Sequence, residues 1–164
     1  MKKILFTLAV LTLGMMTSCS SDDGNTTNED TIANAFFASE LPLMYDIQAD
    51  PLFLWNGDPN IETCKVINSA EELRSFYRGN KALPAIDFSK KSLVIGWKLC
   101  CPVSGVEKVE ITEKEGLYML DVTVFRYLGD GYYTVALPVC YWGVFPKITT
   151  DISSVNMTVI EKER

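Results

Sequence analysis

The hydrophobic pattern divides the chain into an apolar N-terminal segment, a polar segment and a longer body. Residues 4–16 are almost entirely apolar, whereas residues 20–30 contain no apolar residue. From Thr31 onward, several runs alternate between apolar and polar residues, and a period of two is typical of half-buried β-strands. The pattern therefore predicts one β-rich globular domain over residues 31–164, preceded by a separate leader and linker.

One helix is predicted over residues 69–79. Ser69 is suited to the N-cap, and Glu72 stands three positions later, which is the spacing of a capping box. Gly79 is suited to end the helix. Three apolar residues share one face through three- and four-residue spacing and are predicted core contacts: Leu73, Phe76 and Tyr77.

A second helix is predicted over residues 31–38, from a weaker pattern. Its apolar stripe is expected to consist of Ile32, Ala35 and Phe36, which are spaced by three and one positions. We expect the helix over residues 69–79 to pack on a sheet.

The sheet is predicted from one continuous apolar run and several alternating ones. Residues 92–101 are nearly all apolar and rich in β-branched side chains, as in a central strand with both faces covered. Further strands are predicted over residues 106–112, 117–127, 132–142 and 155–163. Residues 113–116 form a hairpin loop, and Pro138 indicates an edge, a bulge or a break. The predicted fold class is α+β: an antiparallel sheet or small β-sandwich with one packed helix.

The N-terminal segment has the three zones of a bacterial export signal. Lys2 and Lys3 precede the apolar run, and the small polar residues Thr17 and Ser18 precede Cys19. The run is too short for a comfortable transmembrane helix, which needs about 20 apolar residues. Residues 1–18 are therefore predicted to be a signal peptide that is removed.

The residues around Cys19 resemble the lipobox of bacterial lipoproteins, although Met16 stands where that family usually has leucine. The resemblance implies acylation of Cys19 and attachment to the membrane through this lipid, with residues 19–30 as a flexible polar tether. The acidic pair Asp22 and Asp23 resembles an outer-surface sorting signal. We expect an outer-membrane lipoprotein, either surface-exposed or facing the periplasm; the alternative is a secreted protein cut near Cys19.

Charge and residue usage exclude several classes of function. The chain of 164 residues has a net charge of −6 at pH 7 without a basic cluster, which disfavours binding to nucleic acid. It contains no histidine, which excludes Ser-His-Asp and Cys-His triads and histidine-bearing zinc sites. Carboxylate pairs, Ser-Lys dyads and tyrosine bases are still available, but no HExxH, GxSxG, GxGxxG, Walker-type or EF-hand spacing is present. We therefore expect no enzymatic activity and no cofactor or metal.

An even number of cysteines in the body of an exported chain indicates disulfides, and the candidates are Cys64, Cys100, Cys101 and Cys140. Adjacent cysteines on a strand point to opposite faces, so Cys100 and Cys101 are each expected to pair with Cys64 or Cys140. Both crossed connectivities are open. The alternatives are free buried thiols, a four-thiolate zinc site and a redox-active vicinal pair.

Four segments carry a resemblance to a known family: INSAEELRSFY at residues 67–77, IDFSKKSLVIGWKLCCPVSGVEKVEIT at residues 86–112, LYMLDVTVFRY at residues 117–127 and ALPVCYWGVFPKI at residues 136–148. Their order resembles the small β-rich domain of PrcB-type protease-complex subunits. Pro102 and Gly105 match the turn of that family, whose second glycine and aromatic residue are missing here. The resemblance implies a lipoprotein or stabilising subunit that binds another protein and has no catalytic residue.

Aromatic residues offer a second candidate surface. Tyr132 and Tyr133 are adjacent on a predicted strand, so one of them is expected to face outward as a contact residue, together with Trp142. The sequence thus predicts a lipid-anchored, non-catalytic binding or accessory subunit that acts through protein–protein interaction. The alternative is a surface lipoprotein that stacks glycans on exposed rings, drawn from Trp97, Tyr127, Tyr132, Tyr133, Tyr141, Trp142 and Phe145.

Overall fold

The computed structural model describes residues 28–44, 52–53, 62–129 and 135–164. The helices in these residues are α1 (Asn28–Glu40) and α2 (Ala70–Phe76). The strands are β1 (Thr63–Ile67), β2 (Lys91–Cys100), β3 (Gly105–Lys114), β4 (Leu117–Tyr127), β5 (Leu137–Pro146) and β6 (Ile152–Lys162). This arrangement confirms the predicted α+β class, with a small β-sandwich and packed helices.

The central sheet has the strand order β1-β2-β5, and both pairings are antiparallel. The apolar run predicted to be a central strand forms β2, the middle strand of this sheet. Leu93 and Ile95 face one core, whereas Val94 faces the other, so both faces of β2 are covered. Gly96 allows a close approach, because a Cβ there would lie 2.4 Å from the Thr63 carbonyl oxygen and from the Tyr141 hydroxyl.

The outer sheet has the strand order β3-β4-β6. The predicted hairpin of β3 and β4 is present, but its turn is tighter than residues 113–116. Glu115 (φ 55°) and Gly116 (φ 79°) form a two-residue turn with positive φ at both positions, as expected for a tight β-hairpin. β6 pairs with β4 in parallel.

The protein consists of three layers: helices, central sheet and outer sheet. We call the core between the helices and the central sheet the helix-side core; its buried residues are Ala33, Phe36, Phe37, Leu41, Phe53, Ile67, Leu73, Phe76, Tyr77, Leu93, Ile95, Trp97 and Cys140. We call the core between the two sheets the sheet-side core; its buried residues are Val94, Val103, Leu120, Val122, Val124, Val139, Tyr141 and Ile148.

Helix α2 begins as predicted and ends earlier. The Ser69 side chain accepts a hydrogen bond from the Glu72 backbone N–H at 3.0 Å, and the Glu72 carboxylate accepts one from the Asn68 N–H at 2.9 Å. The prediction that Gly79 ends the helix is wrong, since the helix stops at Phe76. Tyr77 is extended (φ −92°, ψ 124°) because its backbone forms a β-bridge with Phe53.

Helix α1 is longer than predicted and is rotated relative to the predicted stripe. Ala33, Phe36 and Phe37 are buried, whereas Ile32 is 51% exposed. The true stripe has the i, i+3, i+4 spacing of an amphipathic helix. Because α1 begins at Asn28, the final three residues of the predicted tether belong to this helix.

Other parts of the chain refine the predicted strands. β1 has no counterpart among the predicted strands. β5 spans Leu137–Pro146, so it ends later than the predicted strand over residues 132–142, and Val135 and Ala136 are not part of it; residues 130–134 lie outside the described part of the chain. β5 is an edge strand, in agreement with one interpretation of Pro138. No helix in the described residues is long and apolar enough to cross a membrane. The predicted signal peptide and Cys19 also lie outside the described residues.

Candidate functional site

The open edge of β5 is the first component of the candidate site. At its N-terminal end, the Cys140 backbone N–H donates a hydrogen bond to the Leu43 carbonyl at 2.9 Å. Met44 forms an antiparallel bridge with Val139. A short extended segment therefore already pairs with the first part of this edge.

The remaining edge of β5 has backbone groups that point away from β2. In an antiparallel strand, consecutive residues direct their N–H and C=O groups to alternate sides. The outward Cys140 N–H places the groups of Trp142 and Val144 on the same open side. The inward Lys147 N–H, which donates to the Lys90 carbonyl at 2.8 Å, fits this alternation. No strand of the described chain pairs with the edge at Trp142 and Val144.

A groove lies along this edge, and we call it the β5–β3 groove. It has a volume of about 420 Å³ and is lined by residues 141–145 of β5, residues 106–109 of β3 and Asn34 of α1. The register of β3 shifts between Val106 and Lys108, which marks a β-bulge in this edge strand. The groove is thus an opening where one edge of each sheet meets the helix layer.

Charged residues at the β3 rim already have partners. Lys108 lies 2.7 Å from the Glu110 carboxylate, and Glu107 forms an ion pair with Lys162. These pairs are exposed, so each contributes only about 0–1 kcal/mol. They place charge along the bulged β3 edge, which is a common way to discourage edge-to-edge pairing. The β5 wall of the groove, in contrast, is apolar.

Trp142, one of the predicted interaction residues, lies in the wall of the groove. Its ring contacts Phe37 at a centroid distance of 5.4 Å and packs against the helix-side core. The Trp142 side chain is half-buried. Its contacts with the core hold the Trp142 backbone in place at the open edge. The other two predicted aromatic contacts, Tyr132 and Tyr133, lie outside the described residues.

Pro102 and Gly105, the two turn residues of the family resemblance, lie in the connection from β2 to β3. Both are half-buried. Gly105 is paired with Phe125 across the hairpin, and a Cβ at Gly105 would lie 2.5 Å from the Phe125 ring. The close approach of the Phe125 ring accounts for a glycine at this position. Gly105 also directly precedes the groove-lining residues of β3.

The four cysteines of the domain are free thiols in the structure, and the crossed disulfides stay a prediction. Cys64 pairs with Gly96 and contacts the sheet-side core, whereas Cys140 pairs with Trp97 and is buried in the helix-side core. Cys100 ends β2, so Cys101 does not follow strand alternation, and their sulfur atoms lie 3.9 Å apart. Cys100 and Cys101 therefore do not point to opposite faces as predicted, because the strand does not continue through Cys101.

The environment of the thiols disfavours nucleophilic chemistry at three of them. Burial raises the pKa of Cys64 to about 11 and the pKa of Cys140 to about 12. Burial, and then the neighbouring Cys101, raise the pKa of Cys100 to about 11. A protonated thiol is a poor nucleophile and a poor metal ligand. Within the described residues, no three Cys, Asp or Glu side chains are grouped to hold a metal ion.

A charged cluster with a buried carboxylate joins α1 to the segment after α2. Glu40 is only 8% exposed, accepts a hydrogen bond from the Tyr77 hydroxyl and lies 2.5 Å from Lys81 Nζ. Hydrogen bonds from Lys81 and then Tyr77 lower the pKa of Glu40, while burial and then Glu40 raise the pKa of Tyr77. This cluster was not predicted from the sequence; the available signal was Glu40 at the seventh position after Ala33, on the apolar face of α1.

The aromatic residues named for the predicted glycan platform differ in exposure: two of them are buried, whereas Tyr127, Trp142 and Phe145 are half-buried. Trp97 and Tyr141 are buried, so neither ring is accessible for stacking. Phe125 and Tyr127 contact each other edge to face at 5.6 Å, and Lys162 Nζ lies over the Phe125 ring at 4.4 Å. A sugar would have to displace this cation from the ring.

A scan against protein-family models finds no match for the chain, and no match is found among curated proteins or among solved structures.

Proposed function

We propose that this protein is a lipid-anchored, non-catalytic binding or accessory subunit at the outer membrane. In this proposal its partner is another protein, which inserts an extended segment into the β5–β3 groove. The observation that carries the proposal is the open edge of β5, where Trp142 and Val144 direct backbone groups into a groove of about 420 Å³.

The chemistry of the groove suits a polypeptide in the β conformation. An extended peptide that pairs with a sheet edge gains main-chain hydrogen bonds, and its alternate side chains reach into flanking pockets. A segment opposite the five β5 residues 141–145 of the groove wall would be about 17 Å long, at about 3.3 Å per residue. Leu43 and Met44 already pair with the preceding part of the edge, which supports the idea that it accepts antiparallel pairing.

Anchoring and the lack of reactive groups are consistent with a binding role. The lipidated Cys19 and its polar tether would hold the domain near a membrane while leaving the groove accessible. Raised thiol pKa values at Cys64, Cys100 and Cys140 leave these side chains protonated near neutral pH. The PrcB-type resemblance points to the same class of non-catalytic subunit.

The proposal is tested with a variant that fills the groove. Asn34 is exposed on α1 and lines the groove, whereas the adjacent Ala35 is exposed and does not line it. Asn34→Trp should remove a stoichiometric partner recovered from mild detergent extracts of native membranes, and Ala35→Trp should retain it. Mass spectrometry identifies and quantifies the partner for the wild type and both variants.

Amide hydrogen exchange then locates the contact. Binding should protect the amides of Trp142 and Val144, which point to the open edge, without changing the β1 amides. Val144→Pro removes one outward donor while leaving the hydrogen bonds to β2, and it should weaken binding by at least tenfold. A partner that Asn34→Trp retains, with no protection on β5, would refute the groove; recovery of no partner at all would refute the protein-binding role.

A further inference from the structure

A pair of thiols lies where the chain leaves the central sheet. Cys100 is the last residue of β2 and pairs with Leu137, and Cys101 is the first residue after the strand. Their sulfur atoms are 3.9 Å apart, and both residues are half-buried. Both side chains contact the sheet-side core from its rim. Two adjacent thiols are therefore in contact at a partly accessible position.

The other thiols of the described domain are not placed to compete for either member of this pair. Cys64 lies opposite Gly96, four residues before Cys100 along β2, a separation of about 13 Å at about 3.3 Å per residue. Cys140 lies in the helix-side core, on the opposite face of the central sheet. The cysteines thus divide into two separated thiols and one contacting pair.

We propose that Cys100 and Cys101 form a reversible redox modification site, which becomes a vicinal disulfide on reaction with a disulfide oxidant. This inference does not depend on the proposed binding groove. The oxidant is of the thiol–disulfide exchange class, either a small-molecule disulfide or an oxidised protein dithiol. The exported location predicted from the leader is a compartment in which such oxidants operate.

The chemical step is a two-electron exchange. The Cys101 sulfur attacks one sulfur of the oxidant, a mixed disulfide forms, and the first oxidant thiolate leaves and takes a proton. Cys100 reacts second, because its raised pKa keeps the thiol protonated near neutral pH. On losing its proton, the Cys100 sulfur attacks the Cys101 sulfur of the mixed disulfide, and the second oxidant thiolate leaves and takes that proton. The pair loses two electrons and two protons, the oxidant gains them, and one S–S bond replaces another.

The position of the pair gives this modification a structural consequence. The segment after it joins the two sheets: Val103 is buried in the sheet-side core, and the Ser104 N–H donates to the Phe125 carbonyl at 2.7 Å. A bond between Cys100 and Cys101 requires the sulfurs to approach from 3.9 Å to about 2 Å. Oxidation would therefore fix the backbone at the start of the segment that runs from β2 to β3.

The test uses the whole lipid-anchored chain in detergent, equilibrated under argon in glutathione buffers of increasing oxidised fraction. Free thiols are then alkylated and the protein is digested with trypsin. Cleavage after Lys98 and Lys108 releases the peptide of residues 99–108, which contains Cys100 and Cys101 and no other cysteine. We expect the doubly alkylated peptide to be replaced, in one transition, by an unalkylated peptide that is two hydrogens lighter than the dithiol.

Single variants distinguish this pair from ordinary thiol oxidation. Cys100→Ser and Cys101→Ser should each lose the transition and instead carry one glutathione on the remaining cysteine. Cys64→Ser and Cys140→Ser are the matched controls and should retain it. The proposal is overturned if the wild-type peptide stays doubly alkylated in the most oxidising buffer, accumulates as the glutathione adduct, or is linked to a peptide containing Cys64 or Cys140.

Discussion

The two faces of the central sheet are covered in different ways. On the helix side, aromatic rings from separate segments interlock: Phe36 contacts Tyr77 at 5.3 Å, and Phe53 contacts Phe76 at 5.5 Å. On the sheet side, mostly aliphatic residues alternate along neighbouring strands, as Leu120, Val122 and Val124 do along β4. The sheet-side core consists mainly of residues that strand pairing already brings side by side. The helix-side core depends on aromatic rings that join segments distant in sequence.

The difference arises from geometry. Two sheets pack at a nearly constant separation of about 10 Å, which short branched side chains fill evenly. Short helices laid on a twisted sheet leave uneven gaps, and large planar rings fill such gaps with many contacts. We therefore expect single truncations to cost more stability on the helix side.

The largest effect is expected for Phe37→Ala. Phe37 is fully buried and contacts Phe36, Phe53 and Trp142, so its removal leaves a cavity between α1 and the central sheet. The free energy of unfolding should fall by about 3–5 kcal/mol in urea denaturation. Ile32→Ala on the exposed face of α1 is the control and should change it by about 0.5 kcal/mol or less. Equal effects of the two substitutions would contradict the burial of Phe37 and the exposure of Ile32 on α1.

Leu120→Ala probes the sheet-side core. Leu120 is fully buried between the sheets, and its loss should cost about 2–5 kcal/mol. Leu117, on the same strand, is 59% exposed, so Leu117→Ala is the matched control with little expected effect. If Leu120→Ala costs clearly more than Phe37→Ala, the proposed ranking of the two cores is incorrect.

Glu40→Gln tests the polar cluster at the margin of the helix-side core. The substitution weakens charge-assisted hydrogen bonds to Tyr77 and Lys81, and should lower the free energy of unfolding by about 1.5–3 kcal/mol at pH 7. The pKa of Glu40 lies below its usual 4.5, so its contribution is present above pH 4.5 and is lost as pH falls through the lower folded-state value. Wild type and variant should therefore converge in acid.

The control for this pH dependence is Glu113→Gln, an exposed carboxylate on β3. Its unfolding curve should follow the wild type at both neutral and acidic pH. If the loss in the free energy of unfolding caused by Glu40→Gln persists unchanged in acid, the lost stability comes from packing and not from the charge of Glu40.

The smallest effect is expected at the start of α2. Ser69→Ala removes the acceptor of the Glu72 N–H and should cost about 1 kcal/mol. Ser75→Ala, within the same helix, leaves the N-cap intact and should be neutral or slightly stabilising, since alanine has the higher helix propensity. Hydrogen exchange of the α2 amides reports the difference directly. Similar exchange in both variants would argue that core packing, and not the cap, holds α2 in place.

Sequence analysis succeeded where local signals and the global fold agree. The apolar run of β2 predicted burial on both faces, and Ser69 with Glu72 predicted the start of α2. The strand predicted over residues 117–127 is β4, and its buried residues alternate along it. These features depend on side-chain chemistry within a few positions, so the sequence carries them directly.

The sequence did not predict features decided by distant residues. Tyr77 leaves the α2 helix because Phe53 and Glu40, both remote in sequence, bind it. The stripe of α1 was misassigned because Ile32 and Ala33 are both apolar, and only the position of the sheet distinguishes them. The β5–β3 groove was not predicted either, since it arises from the meeting of two sheet edges.

The parallel pairing of β6 with β4 also determines the order in which the protein is able to fold. Paired residues such as Arg126 and Glu161 are 35 positions apart, and between them the chain crosses into the central sheet to form β5 and then returns. Neither sheet is completed before the other has begun. Folding is therefore expected to require contacts between residues that are distant in sequence, and to be completed only once β6 is available. A nascent chain that stops before Ile152 would expose an unpaired β4 edge, which is a template for aggregation during synthesis.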